Sequence, residues 1–195
     1  MERRKALLLV FTGYCEFEVS VAISMLRGTH DLHTVSIDKN PCKSEAGLTT
    51  IPDYTIDEID TREYDVIMIP GGDLKSIAEA TKLFELVRSI SENGKVVGAI
   101  CSGVFVAAKA GILEDVPYTV TLSKQQREFL GSFPEETFHY SPTVKYQNIL
   151  TAQGHAFVEF GIELNKMLTN VNESTVEFYL GKGNQMMEKG VGSSN

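Results

Sequence analysis

The chain has 195 residues, 43% hydrophobic and 23% charged, with a formal net charge of -8 and a sequence pI of about 5.0. That composition belongs to a globular domain rather than a disordered chain, and the length suits one domain with a sizeable core. The acidity argues against nucleic acid or an anionic membrane surface as partner, and the longest basic cluster is Arg3-Arg4-Lys5.

Lys5 to Phe11 is a continuous apolar run closed by Thr12-Gly13, the pattern of a strand buried on both faces. It is too short for a signal core with a cleavage site, and no run approaches the ~20 apolar residues of a membrane span. Glu16 to Arg27 carries an apolar stripe through Phe17, Val21, Met25 and Leu26 that predicts a helix. Leu32 to Ile37 reads as a second strand, and Ser44 to Ile51 as a small hairpin. Asp65 to Ile69 is a third strand, ending at Pro70-Gly71-Gly72. Residues 74 to 93 predict a helix broken near Thr81 and stopped at Asn93-Gly94. Lys95 to Ile100 is a fourth strand, followed by a helix to Ala110 that Gly111 caps.

Further on, Val144 to Tyr146 and Ile149 to Thr151 read as short strands joined at Gln147-Asn148. A helix is expected from Ala156 to Leu168, and a last one from Glu173 to Leu180 with Asn172 as N-cap. Residues 1–180 form the expected single domain, and 181–195, polar and glycine-rich, a flexible tail. Strands alternating with helices predict an α/β fold, a mostly parallel sheet covered on both faces with a small added β-hairpin.

In such a sheet ligands sit beyond the carboxyl ends of the strands, where the loops at Thr12–Glu18, Pro70–Asp73 and Ile100–Gly103 should meet. The last loop places a thiol in Ala99-Ile100-Cys101-Ser102-Gly103, the small-x-nucleophile-x-small layout of a nucleophile elbow. Cysteine is also a common buried hydrophobe. A core cysteine, however, needs no Ser-Gly behind it at a strand-to-helix turn, so position favours the nucleophile. At a helix N-terminus its pKa should fall below that of free cysteine. The Ser102 amide would face a developing oxyanion, and Gly71-Gly72 could offer a second one. Glu18 reads equally as a solvated acid of a first helical turn or as a partner of that thiol, with Glu16 the alternative carboxylate.

The three cysteines, Cys15, Cys42 and Cys101, are too widely spaced for a disulfide framework or a zinc site. A reducing cytoplasm is the expected location, and neither metal nor organic cofactor is expected. Cys15 reads as an isolated thiol, or as one that could resolve a sulfenic acid on Cys101.

The stretches RKALLLVFTGYCEFE, YDVIMIPGG, VVGAICSGVFVAAKAGIL and NILTAQGHAFVEFGIEL, in order from Arg4 to Leu168, resemble the ThiJ/PfpI superfamily. The resemblance implies a flavodoxin-like three-layer α/β/α sandwich related to class I glutamine amidotransferases, and a homodimer. It makes Cys101 the nucleophile, Glu18 the carboxylate approaching it, and Gly72 and Ser102 the oxyanion-type amides. The sequence departs from the pattern where many hydrolytic members carry a histidine: Thr121 stands at that position. His155 is the conceivable substitute, although a helix-start polar residue is the plainer reading. The expected function is thus cysteine-plus-acid chemistry of a hydrolase or hydratase on a small electrophilic substrate. The alternatives are a redox or stress-response thiol and a small-ligand binding module.

Overall fold

The computed structural model describes residues 3–188. Its centre is a seven-stranded sheet in the order β5-β2-β1-β6-β7-β9-β8, made of β1 (Arg4–Leu9), β2 (His30–Ser36), β5 (Tyr54–Thr55), β6 (Val66–Ile69), β7 (Val96–Ile100), β8 (Thr143–Tyr146) and β9 (Ile149–Ala152). Every pairing is parallel except β8 with β9. The two-residue strands β3 (Cys42–Lys43) and β4 (Thr49–Thr50) form a separate antiparallel hairpin, the one expected at 44–51.

The central strands explain their own composition. All residues of β6, β7 and β9 are buried, as is β1 from Ala6 onward, so no polar face alternates along them. β8, the edge strand, is half-buried and then exposed, which suits Lys145 and Tyr146.

Helices α1 (Ser20–Leu26) and α5 (Phe157–Leu168) pack together on one side, while α2 (Thr81–Glu92) and α3 (Val104–Lys109) pack together on the other. Glycine permits the α1–α5 approach, because a Cβ at Gly161 would fall 2.6 Å from Val21 Cγ1 and 2.7 Å from the Ala22 nitrogen. Phe84 and Phe105 meet edge to face between α2 and α3 at 6.2 Å.

α2 begins at Thr81, where the expected break falls, and a short 3-10 turn at Leu74–Ser76 precedes it. α4 (Lys124–Leu130) is an element the hydrophobic pattern does not announce. Its signal is local: Ser123 and Gln126 form a reciprocal capping box, and Gly131 closes the helix at φ 65°. α6 (Glu173–Tyr179) starts on Asn172, whose side chain accepts from the Ser174 amide. Within the stretch expected to be a tail, Lys182–Glu188 forms a further helix, α7, because its glutamine, methionine and glutamate residues are good helix formers. The rest of that expected tail, 189–195, lies outside the described residues.

The order of strands reverses direction between β1 and β6, whose carboxyl ends therefore open a crevice. Three short loops close around it, and β7 delivers Cys101 to its edge.

Candidate active site

Cys101 sits at φ 57° immediately after β7, in the left-handed region that a residue with a side chain seldom occupies. The turn is enforced by its neighbours. A Cβ at Gly103 would run into the Pro70 carbonyl oxygen, so the chain after the cysteine passes directly against the end of β6. The sulfur is thereby lifted out of the sheet into the crevice, and Cys101 is half-buried there.

Glu18 reaches the same point from the other side. Glu16–Val19 is a 3-10 turn rather than the start of a regular α-helix, and it points Glu18 inward to 1% exposure while Glu16 stays half-buried. The Glu18 carboxyl lies within hydrogen-bonding reach of the Cys101 thiol. Its Oε2 accepts the Gly71 amide at 2.7 Å. Two glycines bracket the pair. A Cβ at Gly71 would stand 3.0 Å from both Cys101 Sγ and Glu18 Oε2, and one at Gly154 would stand 3.0 Å from both Sγ and Glu18 Oε1.

The electrostatics differ from the sequence expectation. Burial pushes the Glu18 carboxyl above its ordinary range, and the Glu45 charge adds to this, against the Cys101 thiol and Gly71 amide, which favour the ion. Burial also pushes the Cys101 thiol up to about 11, with the charge and hydrogen bond of Glu18 acting in the same direction. The expected fall below free cysteine is therefore corrected. The residues after Cys101 form a 3-10 turn and then a six-residue helix. So short a dipole does not offset desolvation beside a carboxylate. The Ser102 amide and Thr121 hydroxyl do act downward on the thiol.

Thr121, at the position where a histidine is absent, borders this pair. Its hydroxyl accepts the Gly154 amide at 2.8 Å and donates to Gln153 Oε1 at 2.9 Å. Gln153 is itself buried and anchored through Nε2 to Thr119 Oγ1 at 2.7 Å and the Val120 carbonyl at 2.9 Å. One hydroxyl proton thus has two acceptors, the glutamine oxygen and the sulfur. His155 is exposed, while Gly154 and Ala156 on either side of it are buried.

The Ser102 side chain fastens the neighbouring loop. Its Oγ accepts the Gly72 amide at 3.0 Å and donates to the Gly72 carbonyl at 3.0 Å. In this arrangement the Gly72 amide is therefore engaged by Ser102 rather than open to a substrate. Gly72 holds φ 127°, and a Cβ there would collide with the Gly13 carbonyl oxygen, so the loops after β1 and β6 touch backbone to backbone.

Cys15 is buried on the first loop, and its thiol donates to Glu45 Oε2 at 2.6 Å. Glu45 is the participant that sequence reasoning misses, together with Gly154 and Gln153, while the Gly71 amide, expected to face a substrate, donates to Glu18 instead. Glu45 has no motif around it and reaches the site only because the hairpin docks on the β1 loop, through Gly13 N–H to Lys43 O at 2.7 Å and Glu45 N–H to Tyr14 O at 2.9 Å. Among the described residues no group of three or more His, Cys, Asp or Glu side chains is placed to hold a metal ion, and no helix is long and apolar enough to cross a membrane.

Known proteins share this framework. The chain is 27% identical over 188 residues to a Bacillus subtilis protein named uncharacterized protease YoaZ, covering 86% of this chain and 85% of that one. It is 26% identical over 121 residues to a Thermococcus kodakarensis protein named deglycase TK1284, covering 61% of this chain and 73% of that one. In structure it superposes on the thiJ/pfpI family protein from Bacillus anthracis with a TM-score of 0.85, over 98% of this chain and 96% of that one at 24% identity, a likeness of fold. The DJ-1/PfpI family model matches residues 4–167, which span β1, the cysteine elbow and nearly all of α5, and the chain belongs to that family.

Proposed function

We propose that the protein is a cysteine-dependent enzyme acting on a small electrophile, with Cys101 as nucleophile and Glu18 as its proton partner. The observation that carries this reading is a carboxyl at 1% exposure, held by the Gly71 amide, against a thiol on a left-handed elbow. A carboxyl raised by burial is a better base than an ordinary glutamate, and here it has a thiol to serve. Relatives named as a protease and as a deglycase support a reaction at a carbonyl-type carbon.

In the reaction the Cys101 proton passes to Glu18 Oε1, since Oε2 is occupied by the Gly71 amide. With an amide, the sulfur attacks the carbonyl carbon, the C=O pair moves onto oxygen and returns as the C–N bond breaks, the amine leaves with the Glu18 proton, and water hydrolyses the thioester to the acid and the thiol. With an isonitrile, the S–C bond forms as the carbon takes the Glu18 proton, and water converts the thioimidate to the formamide and the thiol. With a 2-oxoaldehyde, the aldehyde oxygen takes the proton, a proton then moves from the hemithioacetal carbon to the neighbouring carbonyl carbon, and water hydrolyses the resulting thioester to the 2-hydroxy acid and the thiol. The Ser102 amide stabilises developing negative charge, and the Gly72 amide joins it when the Ser102 hydroxyl turns away. The same reading has the protein work as a homodimer in a reducing compartment, with neither metal nor organic cofactor.

The test is an assay of wild type, Cys101→Ala and Glu18→Gln against methylglyoxal, glutamine, simple amides and an isonitrile. Turnover that disappears in Cys101→Ala and falls at least ~100-fold in Glu18→Gln is expected. Turnover surviving in Cys101→Ala overturns the proposal. Absence of turnover together with a stable peroxide-induced gain of two oxygens on Cys101 would favour a redox thiol instead.

A further inference from the structure

A second thiol–carboxylate pair stands at the rim of the Cys101 site. Glu45 is exposed on the bend of the hairpin, where a glutamate ordinarily samples many rotamers. Here it is held at both ends. Its amide donates to Tyr14 O at 2.9 Å, and its Oε2 accepts the thiol of Cys15, itself 7% exposed, at 2.6 Å.

The loop that holds Glu45 is bonded in turn to the floor of the site. The Cys15 amide donates to Gly71 O at 2.9 Å, and Gly71 is the glycine pressed against Cys101 and Glu18. Tyr14 Oη pins the far strand of the hairpin at Thr50 Oγ1, 2.8 Å away. Hairpin, loop and elbow form one hydrogen-bonded strip, so the Glu45 charge keeps a fixed position relative to the sulfur.

Among the described residues, no lysine or arginine forms an ion pair with Glu45. Lys43, the nearest cation along the hairpin, lays its chain beside Gly47 instead. The charge that acts on Glu18 is that of Glu45, and those acting on Cys15 are Glu18, Glu45 and Cys101. His155, which follows the Gly154 packed against Cys101 and Glu18, is exposed.

We propose that Glu45, held in place by Cys15, is a specificity-determining residue that admits uncharged electrophiles to Cys101 and turns away those bearing a carboxylate. The inference rests on Cys101 being the reacting group. A site built for carboxylates would present an arginine or lysine at its mouth. This one presents a second acid, so every anionic substrate approaches against it.

Iodoacetamide and iodoacetate test this without any turnover. They share shape and leaving group and differ by one charge; in each the Sγ–C bond forms as C–I breaks and iodide leaves. Rates at Cys101 are read from its peptide mass, with Cys15→Ser as a background that preserves a hydroxyl donor for Glu45. Cys101 should prefer iodoacetamide by roughly three- to tenfold more than free N-acetylcysteine does, and the excess should shrink as salt rises. Glu45→Gln should abolish most of the excess, and Cys15→Ala should reduce it by letting the carboxylate swing into solvent. An unchanged ratio in Glu45→Gln, with alkylation still brisk, overturns the filter alone, and an undiminished excess in Cys15→Ala overturns the part given to Cys15. Failure of Cys101 to react with iodoacetamide overturns the nucleophile and the filter together.

Discussion

Gly154→Ala measures how tightly the Cys101–Glu18 contact is made. The new Cβ would stand 3.0 Å from Cys101 Sγ, 3.0 Å from Glu18 Oε1 and 3.2 Å from Cys101 Cβ, where ordinary contacts begin at 3.4 Å. Gly154 does not occupy a left-handed φ, so alanine brings no backbone strain and the effect is purely one of space. Three contacts must each open by a few tenths of an ångström in a region closed by the Gly71 amide and Gln153. Overpacking of this kind costs about 1–3 kcal/mol, which for a chain of this size lowers Tm by about 3–10 °C. The chemical consequence is more telling. The charge and the hydrogen bond of Glu18 are two of the causes that raise the thiol to about 11, and driving the carboxyl away weakens both. The pH midpoint of Cys101 alkylation should therefore fall below that of wild type, while turnover drops by up to ~100-fold through misplacement of the pair. A variant with wild-type Tm and an unmoved alkylation midpoint would refute the close thiol–carboxyl contact.

Two further outcomes follow from the same geometry. Glu18 has a raised carboxyl, so the folded state binds its proton more tightly than the unfolded chain, and the stability it contributes is present below the ordinary glutamate pKa and lost as pH rises through the raised one. Urea melts across pH should show that decline in wild type and a flatter profile in Glu18→Gln, and identical profiles would count against a buried titrating carboxyl. Arg127 is buried, pairs with Glu135 at 2.6 and 2.9 Å, donates to Leu122 O at 2.8 Å and lies 3.8 Å over the Phe138 ring. Arg127→Ala should cost about 2–3 kcal/mol in a thermal or urea melt, and Arg127→Lys should recover little because lysine cannot reproduce the paired contact; a loss under about 0.5 kcal/mol would show the clamp to be ornamental.

The parts of this molecule that were legible in sequence are those governed by local pattern. The apolar runs at β1, β6 and β7 announce strands covered on both faces, and the break before Thr81 and the Asn172 cap are local backbone chemistry. The elbow is local too, since glycine at 103 is required by the passage against Pro70. What depends on distant contact was not legible. Glu18 and Glu16 look alike along the chain, and only the 3-10 geometry of their turn buries one beside Cys101. The ionisation of Cys101 is not legible for a related reason: the helix N-terminus is visible in sequence, whereas the desolvation and the carboxylate that outweigh it are properties of the packed site. Gly154 and Glu45 reach the pair through β9 and through the docked hairpin, and no spacing rule connects either to residue 101.

On the proposed reading, Thr121, where the family resemblance places a histidine, leaves Glu18 to move the proton. The charge of Glu18 is one cause that raises the thiol, but a proton passed from sulfur to carboxyl leaves only one of the two charged, so their repulsion drops out. What remains is the difference in solvation and hydrogen bonding on the two sides. Glu18 holds the Gly71 amide in either state, while the sulfur, once ionised, gains the Ser102 amide and can draw the Thr121 hydroxyl proton away from Gln153. The pair can therefore reach its reactive thiolate by internal transfer even though the thiol titrates high against bulk water. On this argument Thr121→Val should slow Cys101-dependent turnover and alkylation alike by removing one donor from the sulfur, whereas a pair that relied on an external base would respond to buffer concentration and be indifferent to Thr121.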